Sequence, residues 1–185
     1  MELKRPDETL LPSYIAALER GWSPRNVDSE RARLETLGRI AEDRERFLAE
    51  FADGDRLGPP ITLPDGREVP RLPDIVRWMW DGEFCGLINL RWQPGTSALP
   101  DHVLGHVGYT VVPWKRRLGY ATQALLAMLP IARGLGLPWI ELTADAGNMP
   151  SWRVIEKAGG EHLRDMTDAI YHAPGDVVRL YRITL

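Results

Sequence analysis

The spacing of apolar residues predicts helices at the start of the chain. After a short opening strand, Leu10, Tyr14 and Leu18 recur at the interval of an α-helical turn. A second apolar stripe, with charged residues between its members, predicts another helix that Asp28 or Ser29 can cap. The members of this stripe are Leu34, Leu37, Ile40, Phe47, Leu48 and Phe51.

The middle of the chain has the pattern of antiparallel strands. A stretch rich in Gly, Pro and Asp comes first, with a turn predicted at residues 63–67. Strand-like runs at 75–80 and 83–92 then flank Asp81-Gly82, which is the strongest short signal for a hairpin. A third run at 103–112 predicts another strand, which the following proline ends.

The last part of the chain alternates between helical and strand patterns. The predicted elements are a helix at 119–133 containing Pro130, a strand at 139–144, a helix at 150–158 with Pro150 in its first turn, and a strand at 177–184. Helices, a hairpin and then alternating elements predict a layered α/β (α+β) domain around a mixed sheet.

Composition limits the classes of function that are open to the chain. Its 185 residues suit one domain, and a net charge of -3 gives no support for binding nucleic acid. Its one cysteine, Cys85, cannot form an intrachain disulfide, which fits a reducing cytoplasm. We find no long apolar stretch of the kind that enters a membrane, so no membrane partner is expected.

One segment between a predicted strand and a predicted helix has the chemistry of a phosphate site. The first turn of the helix exposes unpaired backbone N–H groups and the positive end of the helix dipole. Gly119 and the small Ala121 let a phosphate approach the backbone, and Arg116 and Arg117 add positive charge. The Gly-Lys-Ser/Thr ending of a P-loop and the three-glycine spacing of a dinucleotide fingerprint are both missing.

This segment and a second one resemble the signatures of a known superfamily. Arg116, Gly119 and Ala121 match the Arg/Gln-x-x-Gly-x-Gly/Ala motif of the GNAT N-acetyltransferases. Downstream, Asn148 opens a predicted helix that ends in Glu-Lys-Ala-Gly at residues 156–159, which resembles the second signature of the superfamily. Two motifs on the expected elements are more specific than either motif alone.

The resemblance implies a three-layer GNAT-like fold over residues 1–185, with helices on both faces of the sheet and a splayed pair of parallel strands. N-terminal strand and helices would occupy 1–52, antiparallel strands 75–112, the acetyl-CoA-binding core 113–160 and C-terminal strands 161–185. The implied co-substrate is acetyl-CoA, with no metal, and the implied partner is an amine acceptor; dimers are common in the family, so a homodimer is possible.

The resemblance also implies which residues bind acetyl-CoA. Backbone groups of Val111 and Val112 would contact the pantetheine arm and the thioester. The pyrophosphate would lie on a second set of backbone groups, from Arg117, Leu118, Gly119, Tyr120, Ala121 and Thr122, with Arg116 beside them. Asn148 and Ser151 would lie beside the cofactor.

Catalytic candidates depart from the family pattern at one position. Many family members carry, just before the Glu-Lys pair, a tyrosine that protonates the departing thiol, whereas this chain has Ile155. Ser151, one turn earlier, is a candidate acid, and its alternative role is to cap the helix.

Three residues are candidates for the base that deprotonates the amine. His106 is the first, because it precedes the cofactor loop and its ordinary pKa suits neutral pH; it could instead fill a polar slot beside the sheet. Glu141 is the second, either as the base or as the partner of an arginine such as Arg91. Tyr109 is the third, with core packing as the alternative.

The acceptor amine is not specified by any motif. Trp78, Trp80 and Trp92, with Trp22 and Arg91, are candidates for an acceptor site that favours an aromatic or acidic group. The leading hypothesis is acetylation of a primary amine on a small molecule, a peptide or a protein. The alternative is a non-catalytic CoA-binding module.

Overall fold

The computed structural model describes residues 1–25, 28–54, 60–63, 65–168, 170–173 and 175–185. The strands are β1 (Glu2–Lys4), β2 (Ile61–Thr62), β3 (Glu68–Val69), β4 (Asp74–Trp80), β5 (Phe84–Arg91), β6 (Val107–Val111), β7 (Trp139–Asp145), β8 (Glu161–Thr167) and β9 (Val177–Thr184). The helices are α1 (Leu11–Glu19), α2 (Ser29–Glu42), α3 (Arg44–Ala49), α4 (Tyr120–Gly134) and α5 (Met149–Lys157). Within the described ranges, no helix is both long enough and apolar enough to span a membrane.

Two sheets form the centre of the fold. One has the strand order β1-β4-β5-β6 and the other the order β7-β9-β8, and neighbouring strands in both are antiparallel. A small β2-β3 hairpin stands apart, closed by the bond from Leu63 N–H to the Arg67 carbonyl (2.8 Å). This bond confirms the turn predicted at 63–67, of which Pro64 lies outside the described residues.

Two apolar cores cover the two faces of the sheets. Alternate strand residues point to opposite faces, so that Met79 packs into one core and Trp78 into the other. The first core joins both sheets to α4 and α5, and the second joins β4 and β5 to α1, α2 and α3. In the second core Tyr14 stacks on Trp78 with ring centroids 4.5 Å apart. Helices therefore lie on both faces, as predicted.

The second apolar stripe forms two helices rather than one. Asp43 adopts an extended conformation (φ -158°, ψ 101°), ends α2, and caps α3 by accepting the Arg46 N–H at 2.9 Å. Leu34 is 53% exposed and so does not belong to the core. The prediction of one continuous stripe was wrong, because periodicity does not register a cap that interrupts the helix.

Two strands differ from the sequence expectation for physical reasons. β6 begins at Val107 rather than at residue 103, because the His106 N–H bonds to β7 and not to β5. β8 lies where the resemblance implied C-terminal strands, but the apolar pattern alone did not predict it, because six of its seven positions are exposed. The hairpin between β4 and β5 turns through Asp81 and Gly82 (φ 113°), as predicted.

The sheets meet where β6 and β7 begin and separate beyond that point. The His106 N–H donates to the Glu141 carbonyl (2.7 Å), and the Glu141 N–H donates to His106 Nδ1 (2.9 Å). Farther along, β6 has no strand pairing with β7 among the described residues. Gly105 approaches residues 141–143, whereas Tyr109 reaches Ser151 beyond the end of β7, so the two strands run in the same direction. A splayed pair of parallel strands results.

Candidate active site

The free edge of β6 lines the gap between the two sheets. The Arg91 N–H donates to the His106 carbonyl, and the Val112 N–H donates to the Cys85 carbonyl. Because backbone groups alternate along a strand, those of Val111 point away from β5 and into the gap. Val112 was expected to offer backbone groups to the pantetheine arm. In the structure its N–H is bonded to β5 and its carbonyl accepts the Lys115 N–H at 3.0 Å.

The loop after β6 presents its backbone to solvent. Arg117 (φ 66°) and Gly119 (φ 79°) both have left-handed conformations, which turn the chain into α4. Gly119 is the N-cap residue and supplies no side-chain cap, so the first N–H groups of α4 remain available. Residues 116–119 are exposed, and Arg116 Nε lies 3.4 Å from the Val111 carbonyl. An anion could approach this turn without displacing a side chain.

The start of α5 lies across the gap from β6. Asn148 caps the helix by accepting the Ser151 N–H at 3.3 Å, and Pro150 lies in its first turn. The hydroxyl of Tyr109 donates to the Ser151 carbonyl at 3.3 Å, which joins β6 to α5, and burial raises the pKa of Tyr109. Ile155 is 1% exposed and belongs to the first core, so its side chain is turned away from the gap.

His106 is buried at the junction of the two sheets. Burial lowers its pKa, which favours the neutral ring. Because Nδ1 accepts the Glu141 N–H, the proton resides on Nε2, which is buried and has no hydrogen-bond partner among the described residues. The lone pair that a base needs is therefore already used within the protein.

Glu141 lies on the other face of β7 from the first core. Its neighbours Ile140 and Leu142 point into that core, so its carboxylate points to the opposite side. Arg182, its direct partner on β9, donates to Oε1 from Nη2 (2.6 Å) and from Nε (3.2 Å). The predicted arginine partner exists, but it is Arg182 and not Arg91.

A charged cluster joins the β4-β5 turn to the start of α4. Asp81 accepts the Tyr120 hydroxyl at 2.6 Å, and Lys115 Nζ lies 2.9 Å from Asp81 and 2.8 Å from Glu83. The hydroxyl bond from Tyr120 and then the Lys115 ammonium hold the pKa of Asp81 well below its usual range. The cluster could not be predicted from the sequence, because Asp81 is 34 residues from Lys115 and 39 residues from Tyr120 along the chain.

A cavity of about 440 Å³ opens on the face of β4 and β5 that carries Val76, Leu87 and Asn89. It lies between β4 and β5 on one side and α2, α3 and the β2-β3 hairpin on the other. Its described lining includes Arg91 but none of the four predicted tryptophans. Trp22 and Trp78 are buried in the second core, whereas Trp80 and Trp92 are half-buried and pack against the second and the first core respectively.

Comparisons with known proteins agree with this geometry. The family model described as the acetyltransferase (GNAT) domain matches residues 19–161. The ribosomal L7/L12 α-N-protein acetyltransferase RimL, solved with coenzyme A, superimposes with a TM-score of 0.61 at 16% identity, covering 100% of this chain and 93% of that chain. The microcin C7 self-immunity acetyltransferase MccE, solved with acetyl-CoA and AMP, gives 0.61 at 8% identity and covers 99% and 91%.

A third solved structure is similar in fold to this chain. The ribosomal-protein-alanine N-acetyltransferase of Brucella melitensis gives a TM-score of 0.56 at 17% identity, covering 100% of both chains. No curated protein matches the sequence. At these identities the structures indicate a shared fold and leave the acceptor open.

Proposed function

Because the chain belongs to the GNAT acetyltransferase family, we propose that it transfers the acetyl group of acetyl-CoA to the nitrogen of a primary amine. The observation that carries the proposal is the uncapped N-terminus of α4 beside the gap between β6 and β7. Acetyl-CoA supplies an activated carbonyl: the amine nitrogen bonds to the acetyl carbon, the carbon–sulfur bond breaks, and the sulfur leaves with its electron pair.

The protein would hold acetyl-CoA mainly through its backbone. The N–H groups from Arg117 to Thr122 would bind the pyrophosphate, with the Arg116 guanidinium beside them. Each hydrogen bond to a charged phosphate contributes on the order of 1.5–3 kcal/mol. Val111 would pair with the pantetheine arm through its backbone N–H, since its carbonyl accepts Arg116 Nε, and Asn148 would border the cofactor at the start of α5. Val112 is left out of this role, because both of its backbone groups are engaged.

Glu141 is the base that the geometry favours. A lysine-like amine has a pKa of about 10.4 and must lose a proton before it attacks. Both bonds from Arg182 use Oε1, so Oε2 remains to accept that proton directly or through water. His106 holds the Glu141 backbone through two hydrogen bonds, and we assign it the role of a positioning residue.

Ser151 is the proposed acid for the departing thiolate. The helix cap is formed by the Ser151 backbone N–H, which donates to Asn148 Oδ1. The Ser151 hydroxyl takes no part in this cap. The position is half-buried at the start of α5, on the side of the gap that Tyr109 reaches. Ile155 packs in the core and has no proton to give.

Two measurements on the purified protein test the proposal. Calorimetric titration with acetyl-CoA should show binding, and a panel of amines with detection of free thiol should show transfer that depends on the amine.

Glu141→Gln should keep acetyl-CoA binding and lower kcat about 10²–10⁴-fold, because it removes the proposed base. Glu156→Gln, on the exposed side of α5, is the matched control and should leave kcat unchanged.

The second candidate function is a CoA-binding module without catalysis, which the buried Ile155 favours. It predicts acetyl-CoA binding with no thiol release above hydrolysis for any amine. Ser151→Ala distinguishes the catalytic function from the non-catalytic one, because it removes only the hydroxyl and keeps the backbone N–H that Asn148 accepts. A loss of transfer with unchanged acetyl-CoA binding supports catalysis, and the absence of acetyl-CoA binding in the wild-type protein overturns both functions.

A further inference from the structure

The loop between β6 and α4 is anchored at both of its ends by one carboxylate. Residues 116–119 are exposed, whereas Lys115 before them and Tyr120 after them are half-buried. Lys115 Nζ lies 2.9 Å from Asp81 Oδ2, and the Tyr120 hydroxyl donates to the same oxygen at 2.6 Å. Asp81 belongs to the turn between β4 and β5, so the anchor lies outside the loop itself.

The backbone of the loop needs such an anchor. Arg117 (φ 66°) and Gly119 (φ 79°) have left-handed conformations, and an arginine occupies this region only where the surrounding structure holds it there. Within the loop, Arg116 Nε lies as far as 3.4 Å from the Val111 carbonyl. The bonds to Asp81 on either side of the loop are shorter, so they restrain its shape more strongly.

The carboxylate of Asp81 is charged and largely shielded from solvent. The hydrogen bond from Tyr120 holds the pKa of Asp81 well below its usual range, so the group is ionised at neutral pH. Its side chain is 18% exposed and that of Lys115 is 19% exposed, and Lys115 also pairs with Glu83 at 2.8 Å. An oxygen–oxygen distance of 2.6 Å is typical of charge-assisted hydrogen bonds, which are roughly twice as strong as neutral ones.

From this arrangement we infer that Asp81 is a positioning residue for acetyl-CoA: by holding Lys115 and Tyr120, it fixes residues 116–119 in the shape that receives the pyrophosphate. The inference rests on the proposed binding of acetyl-CoA at this loop. A loop that is ordered before its ligand arrives loses less conformational entropy on binding, so the ligand binds more tightly. Charge alone predicts the opposite effect, because a carboxylate near an anion site repels the anion.

Asp81→Asn tests the inference without changing the turn. Asn-Gly forms the same tight hairpin turns as Asp-Gly, so β4 and β5 should still pair. Loss of the charge-assisted hydrogen bond should raise the Kd for acetyl-CoA about tenfold, measured by calorimetry. With an amine that is acetylated, the KM for acetyl-CoA should rise by the same factor, while kcat and the KM for the amine stay unchanged. A general loss of structure would instead change kcat and both KM values.

Two further variants connect the effect to the anchor. Tyr120→Phe removes the hydroxyl and keeps the ring, and it should also raise the Kd for acetyl-CoA. Combined with Asp81→Asn it should add little, because both changes remove the same bond. Asp53→Asn is the matched control and should leave the Kd unchanged. It also removes one paired carboxylate, but the partners of Asp53 are Arg77 and Arg5 rather than residues of the loop.

The outcomes separate this inference from the proposed function. Tighter or unchanged binding of acetyl-CoA by Asp81→Asn overturns the inference and leaves acetyl transfer standing, and so does an equal loss of binding in Asp53→Asn. Effects of Asp81→Asn and Tyr120→Phe that multiply in the double variant also overturn it, because the two residues then act independently. If Asp81→Asn does not fold, the Kd of Tyr120→Phe decides.

The proposed function can fail without the inference. Binding that weakens as expected, while no amine is acetylated, supports the role of Asp81 and contradicts the catalytic function. A wild-type protein that does not bind acetyl-CoA overturns both.

Discussion

Gly119 shows how much a single residue decides in the proposed cofactor loop. Its φ of 79° is a conformation that L side chains rarely adopt, and it lies where the chain turns into α4. A Cβ there would come no closer than 3.6 Å to Gln123 Nε2, so packing does not require glycine. The requirements are the backbone conformation and an open approach for a phosphate.

Gly119→Glu should abolish measurable acetyl-CoA binding, because a carboxylate would occupy the place of the pyrophosphate. Losing two charged hydrogen bonds corresponds to a Kd at least about 100-fold higher. Calorimetry measures the change. Gly136→Glu is the matched control: Gly136 has a φ of 78°, no atom within 4 Å of its Cβ position, and a place just past the other end of α4. Equal binding losses in both variants would contradict the loop assignment.

Cys85 has a thiol that burial makes unreactive. Burial raises the pKa of its thiol to about 12, so the thiolate is scarce at neutral pH. Its side chain packs in the first core beside β6. Cys85 therefore acts as a small core residue.

At the scale of elements, the connection between β8 and β9 is held by a charged cluster. His172 Nδ1 lies 2.8 Å from Asp168 Oδ2, and its Nε2 lies 3.1 Å from Asp145 Oδ1. Asp168 also accepts the N–H groups of Ile170 and Tyr171. This cluster ties the connection to the end of β7.

Stability should fall with rising pH because of His172. Hydrogen bonding to Asp168 and then to Asp145, against the effect of burial, raises the pKa of His172 above its ordinary value of 6.5. The stabilisation is complete below that value and is lost as the pH rises through the higher folded-state pKa. Burial alone would raise the pKa of Asp168, but its hydrogen bonds lower it, so Asp168 stays charged over this range.

Denaturant unfolding at pH 5.5 and pH 8.5 measures this contribution. The free energy of unfolding should fall more between the two values for the wild-type protein than for His172→Gln. The glutamine variant can keep a hydrogen bond to Asp168 but cannot take up a proton. Parallel pH profiles for the two proteins would show that the cluster does not bind the proton more tightly in the folded state.

At the scale of the whole molecule, one histidine joins the two sheets. His106 bonds to β5 through its carbonyl and to β7 through its N–H and its ring. Beyond this point the sheets separate and form the gap. The junction therefore fixes both the width of the gap and the position of Glu141.

His106→Ala should lower the free energy of unfolding by about 3 kcal/mol, because it leaves a cavity and an unpaired Glu141 N–H. His106→Asn places an oxygen where Nδ1 accepts that bond, so it should recover much of the stability and of the acetyl transfer. Denaturant unfolding and kcat measure the two effects. If both variants fold and both lose transfer equally, His106 is the base and not a positioning residue.

Features set by a few consecutive residues could be predicted from the sequence. The Asp81-Gly82 turn, the Gly119 loop and the Asn148 cap are such features, because backbone sterics and caps act within one or two turns. The interruption of the helix at Asp43 is also local. It was not predicted, because the apolar spacing continues from α2 into α3. The same locality explains why both segments of the proposed acetyl-CoA site could be recognised in the sequence.

Only the tertiary structure decided which distant groups meet. It paired Glu141 with Arg182, His106 with β7 and Asp81 with Tyr120, and it buried Trp22 and Trp78, two of the four tryptophans that were expected at the acceptor site. These contacts depend on register and on the angle between two sheets, which no short segment encodes. The sequence by itself therefore determined a loop with the chemistry of a phosphate site, and the packing of the two sheets determined the gap between β6 and β7.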